Sequence, residues 1–332
     1  MIDRNDMTCK LPHINHLPYH KPMFPSHQTR LLRYLLLLLL LPFNSSASSP
    51  NILVSIKPLH SLVSHITQDV TSPQLLLDKQ LTAHHFQLKP SQKRKLLKAD
   101  VFIYSSNNIE SFVEKLEHLQ GKTRFVQASL LSGVAQLPNR EFGHHHSDHS
   151  HDSHNESDID GHVWLSINNA KQISLQLTRI FIELDPEHKQ QYEKNSTVLI
   201  SELNKLQQTN SLLLKATKDQ SFLVYHDAYQ YFEHENQITN TIFVTSSPEA
   251  SPGIKRIKQL KQLIARNNIQ CVFYEPPSIP PLLQTLTEDR LIKLVPLDPI
   301  GSQLDAGENH YFELMRQTAT KLHDCLSSTN GQ

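Results

Sequence analysis

Histidine is over-represented in this chain, and its placement is uneven. The 332 residues contain 21 histidines, six of them between His144 and His154. Three others stand where a shared site could form. His226 directly follows the apolar run Phe222-Leu-Val-Tyr and precedes Asp227-Ala-Tyr, which puts it at the carboxyl end of a strand. His84 lies in the loop after a short run at Leu75, within Ala83-His84-His85-Phe86-Gln-Leu-Lys-Pro-Ser. His162 follows an acidic stretch, in His162-Val-Trp-Leu-Ser, and Asp298 ends the run Lys293-Leu-Val-Pro-Leu. A lone histidine at a strand end is usually structural. Three of them plus an aspartate, divided between two halves of one chain, form a donor set. Neutral imidazole nitrogens at about 2.0 Å in a tetrahedral arrangement, with an oxygen or water as fourth ligand, suit zinc. Imidazole binds metal only when unprotonated, so affinity is expected to fall below about pH 6.5.

The segment from Gly143 to Asp160 has a different character. It carries almost no apolar residue, so it buries no core and is expected as a surface loop. His144, His145, His146, His149, His151 and His154, interleaved with carboxylates, suit weak and multiple metal binding as auxiliary ligands.

The elements that must hold these residues alternate between apolar runs and helical patterns. Strands are expected at Asn51–Ile56, Leu75–Leu77, Val101–Tyr104 and Phe125–Val126, with a helix following Leu59, Leu62, Val63 and Ile66 at helical spacing. A second set is expected at Phe222–Tyr225, Ile242–Val244, Ile269–Tyr274 and Leu291–Leu297. Between the two sets, Glu187 to Ser221 contains neither glycine nor proline and carries a sparse apolar stripe, which predicts one helix of about 30 residues and about 45 Å. The predicted class is α/β: two lobes, each a small parallel sheet flanked by helices, joined by that long helix, with the metal in the cleft between them. The boundaries are an N-terminal lobe over 48–185 that includes the histidine loop 143–160, a linking helix over 186–215 and a C-terminal lobe over 216–332. In such sheets ligands gather outside the carboxyl ends of the strands, where His84 and His226 fall.

Bulk composition narrows the partners. The 32 basic and 32 acidic residues cancel, which argues against nucleic acid or an anionic membrane as the main partner. No GxxxxGK or GxGxxG loop is present to cradle phosphates. Arg30 and Arg33 precede a leucine-rich run from Tyr34 to Phe43 and then Asn-Ser-Ser-Ala-Ser-Ser, the pattern of a cleavable export signal over 23–47 with cleavage after Ala47. The run is shorter than the roughly 20 residues that span a bilayer. Met23 reads as the true start, leaving 1–22 as an upstream segment. Beyond the leader only Cys271 and Cys325 remain, an even pair that in an oxidising compartment is expected to form one disulfide, contributing about 4 kcal/mol on the chain-entropy model.

Several short motifs in order carry a family resemblance: Ser55-Ile-Lys-Pro-Leu, Leu88-Lys-Pro-Ser, the histidine–acidic loop, His162-Val-Trp-Leu-Ser, Val224-Tyr-His-Asp-Ala-Tyr, Pro248-Glu-Ala-Ser-Pro-Gly, Cys271-Val-Phe-Tyr-Glu-Pro and Leu297-Asp-Pro-Ile-Gly. From about Asn51 onward the chain resembles the periplasmic solute-binding proteins of zinc-uptake ABC transporters, the ZnuA type. The resemblance implies a periplasmic monomer, non-catalytic and not membrane-spanning after signal cleavage, that captures zinc and delivers it to an inner-membrane ABC permease. It assigns the three ligand positions to His84, His162 and His226. Ala83 stands where zinc-type relatives can carry an acidic residue, and His85 where an aspartate is common, so the fourth position is open between Asp298, water and His85, in that order. Manganese-type relatives carry a glutamate at the third position; His226 supplies a third nitrogen and favours zinc over the harder ion.

Other groups have simpler readings. Glu275 reads as a hydrogen-bonded structural carboxylate, and Asp227 either as an acceptor for a ligand imidazole or as a helix cap. A zinc hydrolase is the competing class, since three histidines and a water are also a catalytic geometry. Against it, no general base stands beside the ligands and there is no GxSxG motif. A manganese or other divalent-ion binder and a surface metal-buffering adhesin complete the alternatives.

Overall fold

The computed structural model describes residues 49–78, 84, 86–117, 121–140, 159–248, 250–288 and 290–328. The expected upstream segment and export signal, His85, and the six clustered histidines of the loop lie outside the described residues.

The first half forms a sheet of β1 (Ile52–Val54), β2 (Gln74–Leu75), β3 (Val101–Tyr104) and β4 (Arg124–Gln127), all parallel, in the order β2-β1-β3-β4. Its two inner strands are buried at every position, as a sheet covered on both faces requires. Helix α1 (Lys57–Ile66) begins with Pro58 in its first turn, where a missing N–H costs nothing. It turns Leu59, Leu62, Val63 and Ile66 into the core, the stripe expected from their spacing. The following helices of this half are α2 (Pro90–Lys98), the short α3 (Glu114–Glu117) and α4 (Ile167–Leu184). Ser166 caps α4 by accepting the backbone N–H of Asn169 at 3.1 Å.

The second half repeats the plan. Strands β5 (Phe222–His226), β6 (Thr241–Thr245), β7 (Cys271–Tyr274) and β8 (Lys293–Pro296) pair in parallel in the order β6-β5-β7-β8. They alternate with α6 (Gln230–Glu235), α7 (Ile254–Arg266) and α8 (Pro281–Thr287), and α9 (His310–Ser327) closes the chain. The strand expected from Leu291 starts two residues later, and Leu291 itself is fully exposed, because only from Lys293 onward does β8 pair with β7.

Between the halves runs α5 (Lys189–Leu214), 26 residues and therefore about 39 Å long. It is shorter than the glycine- and proline-free stretch suggests: Pro186–His188 forms a separate tight turn ahead of it, and after Leu214 the chain leaves the helix in turns closed by Thr217 N to Leu214 O and Gln220 N to Thr217 O. Its two ends grip different parts of the molecule. Asn195 donates to the carbonyls of Ile66 and Gln68 at 3.1 and 2.8 Å, on the first lobe. Asn210 donates to Met315 O at 3.1 Å, on α9.

Further ties join the lobes directly. Lys57 Nζ donates to the carbonyls of Ser302 and Leu304 at 2.9 and 2.8 Å, and Trp164 Nε1 to Pro299 O at 2.8 Å. The expected Cys271–Cys325 disulfide is present and fastens β7 to α9. None of the described helices is long and apolar enough to cross a membrane.

Candidate metal centre

Each of the three separated histidines reaches the same point from a different element. His226 is the last residue of β5 and sits opposite Thr245 of β6, so its side chain leaves the carboxyl edge of the second sheet. His84 comes from the connection between β2 and α2, where its carbonyl accepts the Ser111 hydroxyl at 3.2 Å. His162 precedes the tight turn Val163–Leu165 that leads into α4. Gly161 makes that approach possible: a Cβ there would lie 2.1 Å from Ser106 Oγ and 2.6 Å from Ile109 Cγ1. Its carbonyl accepts the Ser105 hydroxyl at 2.7 Å, which seats the turn on the end of β3.

The ring centroids of His84 and His162 are 5.3 Å apart, those of His84 and His226 5.1 Å, and those of His162 and His226 5.0 Å. One ligand atom from each residue lies within 4.8 Å of the other two. Two of the rings are fixed from behind by carboxylates. His226 Nδ1 is 2.6 Å from Glu275 Oε1, and His162 Nδ1 is 2.7 Å from Asp160 Oδ1. A proton held at Nδ1 leaves the Nε2 lone pair of each ring for a metal. The Nε2 of His226 is buried and has no hydrogen-bond partner, a cost of about 1–3 kcal/mol that a cation would relieve. This donor set fits a borderline-soft divalent ion.

Electrostatics distinguish the two rings. Burial, with the neighbouring His226, holds the His162 imidazole well below its usual range and so neutral. Burial also pulls His226 down, but the charge and hydrogen bond of Glu275 outweigh it and leave that ring raised. Burial pushes the Asp160 carboxyl up to about 7, against the pull of the His162 backbone N–H and of Arg140.

Asp298, expected first for the fourth position, does not join the three histidines. Its Oδ1 accepts the backbone N–H groups of Ile300 and Gly301 at 3.0 Å each, and its Oδ2 accepts the N–H and hydroxyl of Ser302 at 2.6 Å each. The carboxylate is spent on shaping the turn after β8. Asp227 is also differently employed: it neither orients an imidazole nor caps a helix, but pairs with Arg140. Asp160, read as the last residue of a solvated loop, is buried at 4% exposure because it supports His162. Glu275 is the hydrogen-bonded carboxylate expected, and its partner is the site itself. Sequence reasoning passed over Arg140 and the role of Asp160; an aspartate two residues before a ligand histidine was the available signal for the latter.

Two parallel-sheet lobes braced by one long helix, with three imidazoles converging where the lobes meet, define a metal-binding solute-binding protein. The family described as zinc-uptake complex component A, periplasmic (ZnuA), matches residues 52–325, and the chain belongs to that family. The chain is 33% identical over 305 residues to the high-affinity zinc uptake system protein ZnuA of Brucella suis, covering 83% of this chain and 91% of that one. It is 27% identical to the protein of the same name from Yersinia pestis, covering 87% of this chain and 95% of that one. In fold it resembles the crystal structure of the Zn(II)-bound ZnuA-like domain of Streptococcus pneumoniae AdcA, with a TM-score of 0.66 at 22% identity, over 84% of this chain and 99% of that domain.

Proposed function

We propose that this protein captures zinc in the periplasm through His84, His162 and His226 and delivers it, chemically unchanged, to an inner-membrane ABC permease for import. Membership of the zinc-uptake family and the zinc named in its relatives support the cargo. The observation that carries the ligand assignment is the convergence of three imidazoles, two of them oriented by carboxylates at 2.6 and 2.7 Å. Three nitrogens favour zinc over manganese, which prefers oxygen. Water completes the coordination in this reading, since Asp298 is engaged elsewhere.

The protein acts as an exported monomer after removal of residues 23–47. Because α5 is anchored at both ends, opening and closing of the lobes is limited, and release depends on local rearrangement at the permease. Calorimetric titration of wild type against His226→Ala, with metal analysis, tests the reading. Wild type is expected to bind one zinc tightly and manganese weakly, and the variant to lose the tight site. Equal zinc binding by both proteins would remove His226 from the site.

A further inference from the structure

The chain on either side of residues 141–158 forms a stalk that belongs to the first lobe but rests on the second. Pro138 and Ile159 pair as an antiparallel bridge, and Asp160 N donates to Leu137 O at 2.9 Å. The Tyr231 hydroxyl on α6 ties both sides together, accepting from Leu137 N at 3.0 Å and donating to Asp160 O at 2.8 Å. Gln230, also on α6, donates to Pro138 O at 3.0 Å.

Arg140 completes the attachment. Its Nε lies 3.0 Å from both carboxylate oxygens of Asp227, its Nη2 also donates to Asp227, and its Nη1 is 2.7 Å from Glu233 Oε2. Its guanidinium carbon stands 5.3 Å from the centroid of the Phe243 ring. One side chain from the first lobe thus meets the end of β5, α6 and β6. The Asp227 and Glu233 side chains are 6% and 4% exposed, so their two charges have little water to answer them. A planar guanidinium can bond both at once, and removing it would leave two buried carboxylates uncompensated.

The attachment is continuous with the metal centre on both sides. Asp227 directly follows His226, and Asp160, which closes the stalk, holds Nδ1 of His162. We infer that Arg140 is a positioning residue for metal retention: by pinning the stalk to Asp227 and Glu233 it holds the His162 side of the site against the His226 side, and so sets the rate at which the ion leaves. This inference rests on the zinc reading above.

The test is stopped-flow release of zinc to a chromogenic chelator from wild type, Arg140→Met, Arg140→Lys, Asp227→Asn and the double variant Arg140→Met with Asp227→Asn, with apo-protein melting in parallel. Release is expected to accelerate about 10–100-fold in Arg140→Met, the range for residues that support metal ligands. Arg140→Lys keeps the charge without the fork and should fall between. Asp227→Asn should match Arg140→Met, and the double variant should be no faster than either, as coupling through one contact requires. A purely structural role would lower apo melting in every variant and leave release unchanged. If Arg140→Met does not fold, the Lys variant decides. Wild type lacking a tight zinc would overturn the zinc reading; wild type retaining zinc while the folded Arg140 variants release it at the same rate would overturn this one alone.

Discussion

The carboxylate of Glu275, at the end of β7, accepts a 2.6 Å hydrogen bond from Nδ1 of His226, at the end of the adjacent parallel strand β5. The pairing follows from sheet order: neighbouring parallel strands finish side by side, so residues from distant parts of the chain become partners across one edge. It presents Nε2 to the site and raises the imidazole against the lowering effect of burial.

Protons and zinc therefore compete for His226 at a higher pH than for an ordinary histidine. Affinity is expected to decline as pH falls through this raised range, beginning above the unperturbed imidazole pKa of about 6.5. Glu275→Gln should weaken zinc binding about 10–100-fold at alkaline pH and shift the decline to lower pH, because the imidazole loses its carboxylate. Chelator-competition titrations across the pH range check both effects. A curve of wild-type shape would show that Glu275 does not tune the ligand.

For Asp298→Asn the expectation is structural. The variant should lose about 1–3 kcal/mol of stability, from the unmet backbone N–H groups of the turn, while zinc affinity stays close to wild type. Denaturant unfolding and zinc titration on the same preparations separate the two. A large fall in affinity at unchanged stability would make Asp298 a ligand after all.

Removing residues 143–156 should leave one tight zinc site and abolish the weaker ones. Extending the deletion through Asp160 should also damage the tight site, since Asp160 orients His162 at 2.7 Å. Calorimetric stoichiometry reads the difference. An unchanged number of bound ions in the shorter deletion would dismiss the loop as a metal reservoir.

Glu110 offers a prediction about stability. It is fully buried, accepts the Ser55 hydroxyl at 2.5 Å and the N–H groups of Ser105 and Ser106, and burial pushes its carboxyl up to about 7. Below the usual carboxyl range it is protonated folded or unfolded and carries no penalty. As pH rises toward 7 the unfolded chain ionises first, so stability falls across that window and the full penalty applies above it. Glu110→Gln removes the penalty, so the variant should gain about 3 kcal/mol relative to wild type between pH 4.5 and 7. Thermal or urea unfolding of the apo proteins at both ends of the window checks the sign. An advantage of the variant over wild type that shrinks as pH rises through the window would refute it.

Much of this architecture is written locally in the sequence. The stripe of Leu59, Leu62, Val63 and Ile66 announces a helix because one face must be apolar for it to pack. The run Phe222-Leu-Val-Tyr announces a buried strand and places His226 at its end. The glycine- and proline-free stretch before it announces the long helix. These are local properties, and side-chain chemistry with backbone preference states them without a fold. Less legible are the partners. Asp298 reads as a ligand because it ends a strand, yet its turn consumes its oxygens. Asp227 reads as an acceptor for a ligand imidazole or as a helix cap, yet Arg140 claims it.

By itself, the sequence determined the donor types, the alternating elements, the pair of cysteines and the two-lobe plan, since each depends on residue identity and short-range spacing. Only the tertiary structure decided that Asp160 and Glu275 stand behind His162 and His226, and that Arg140 spans to Asp227 and Glu233. Those relationships depend on sheet order and on how the lobes meet, and contacts between residues 49 or 87 positions apart are set by packing of the whole chain.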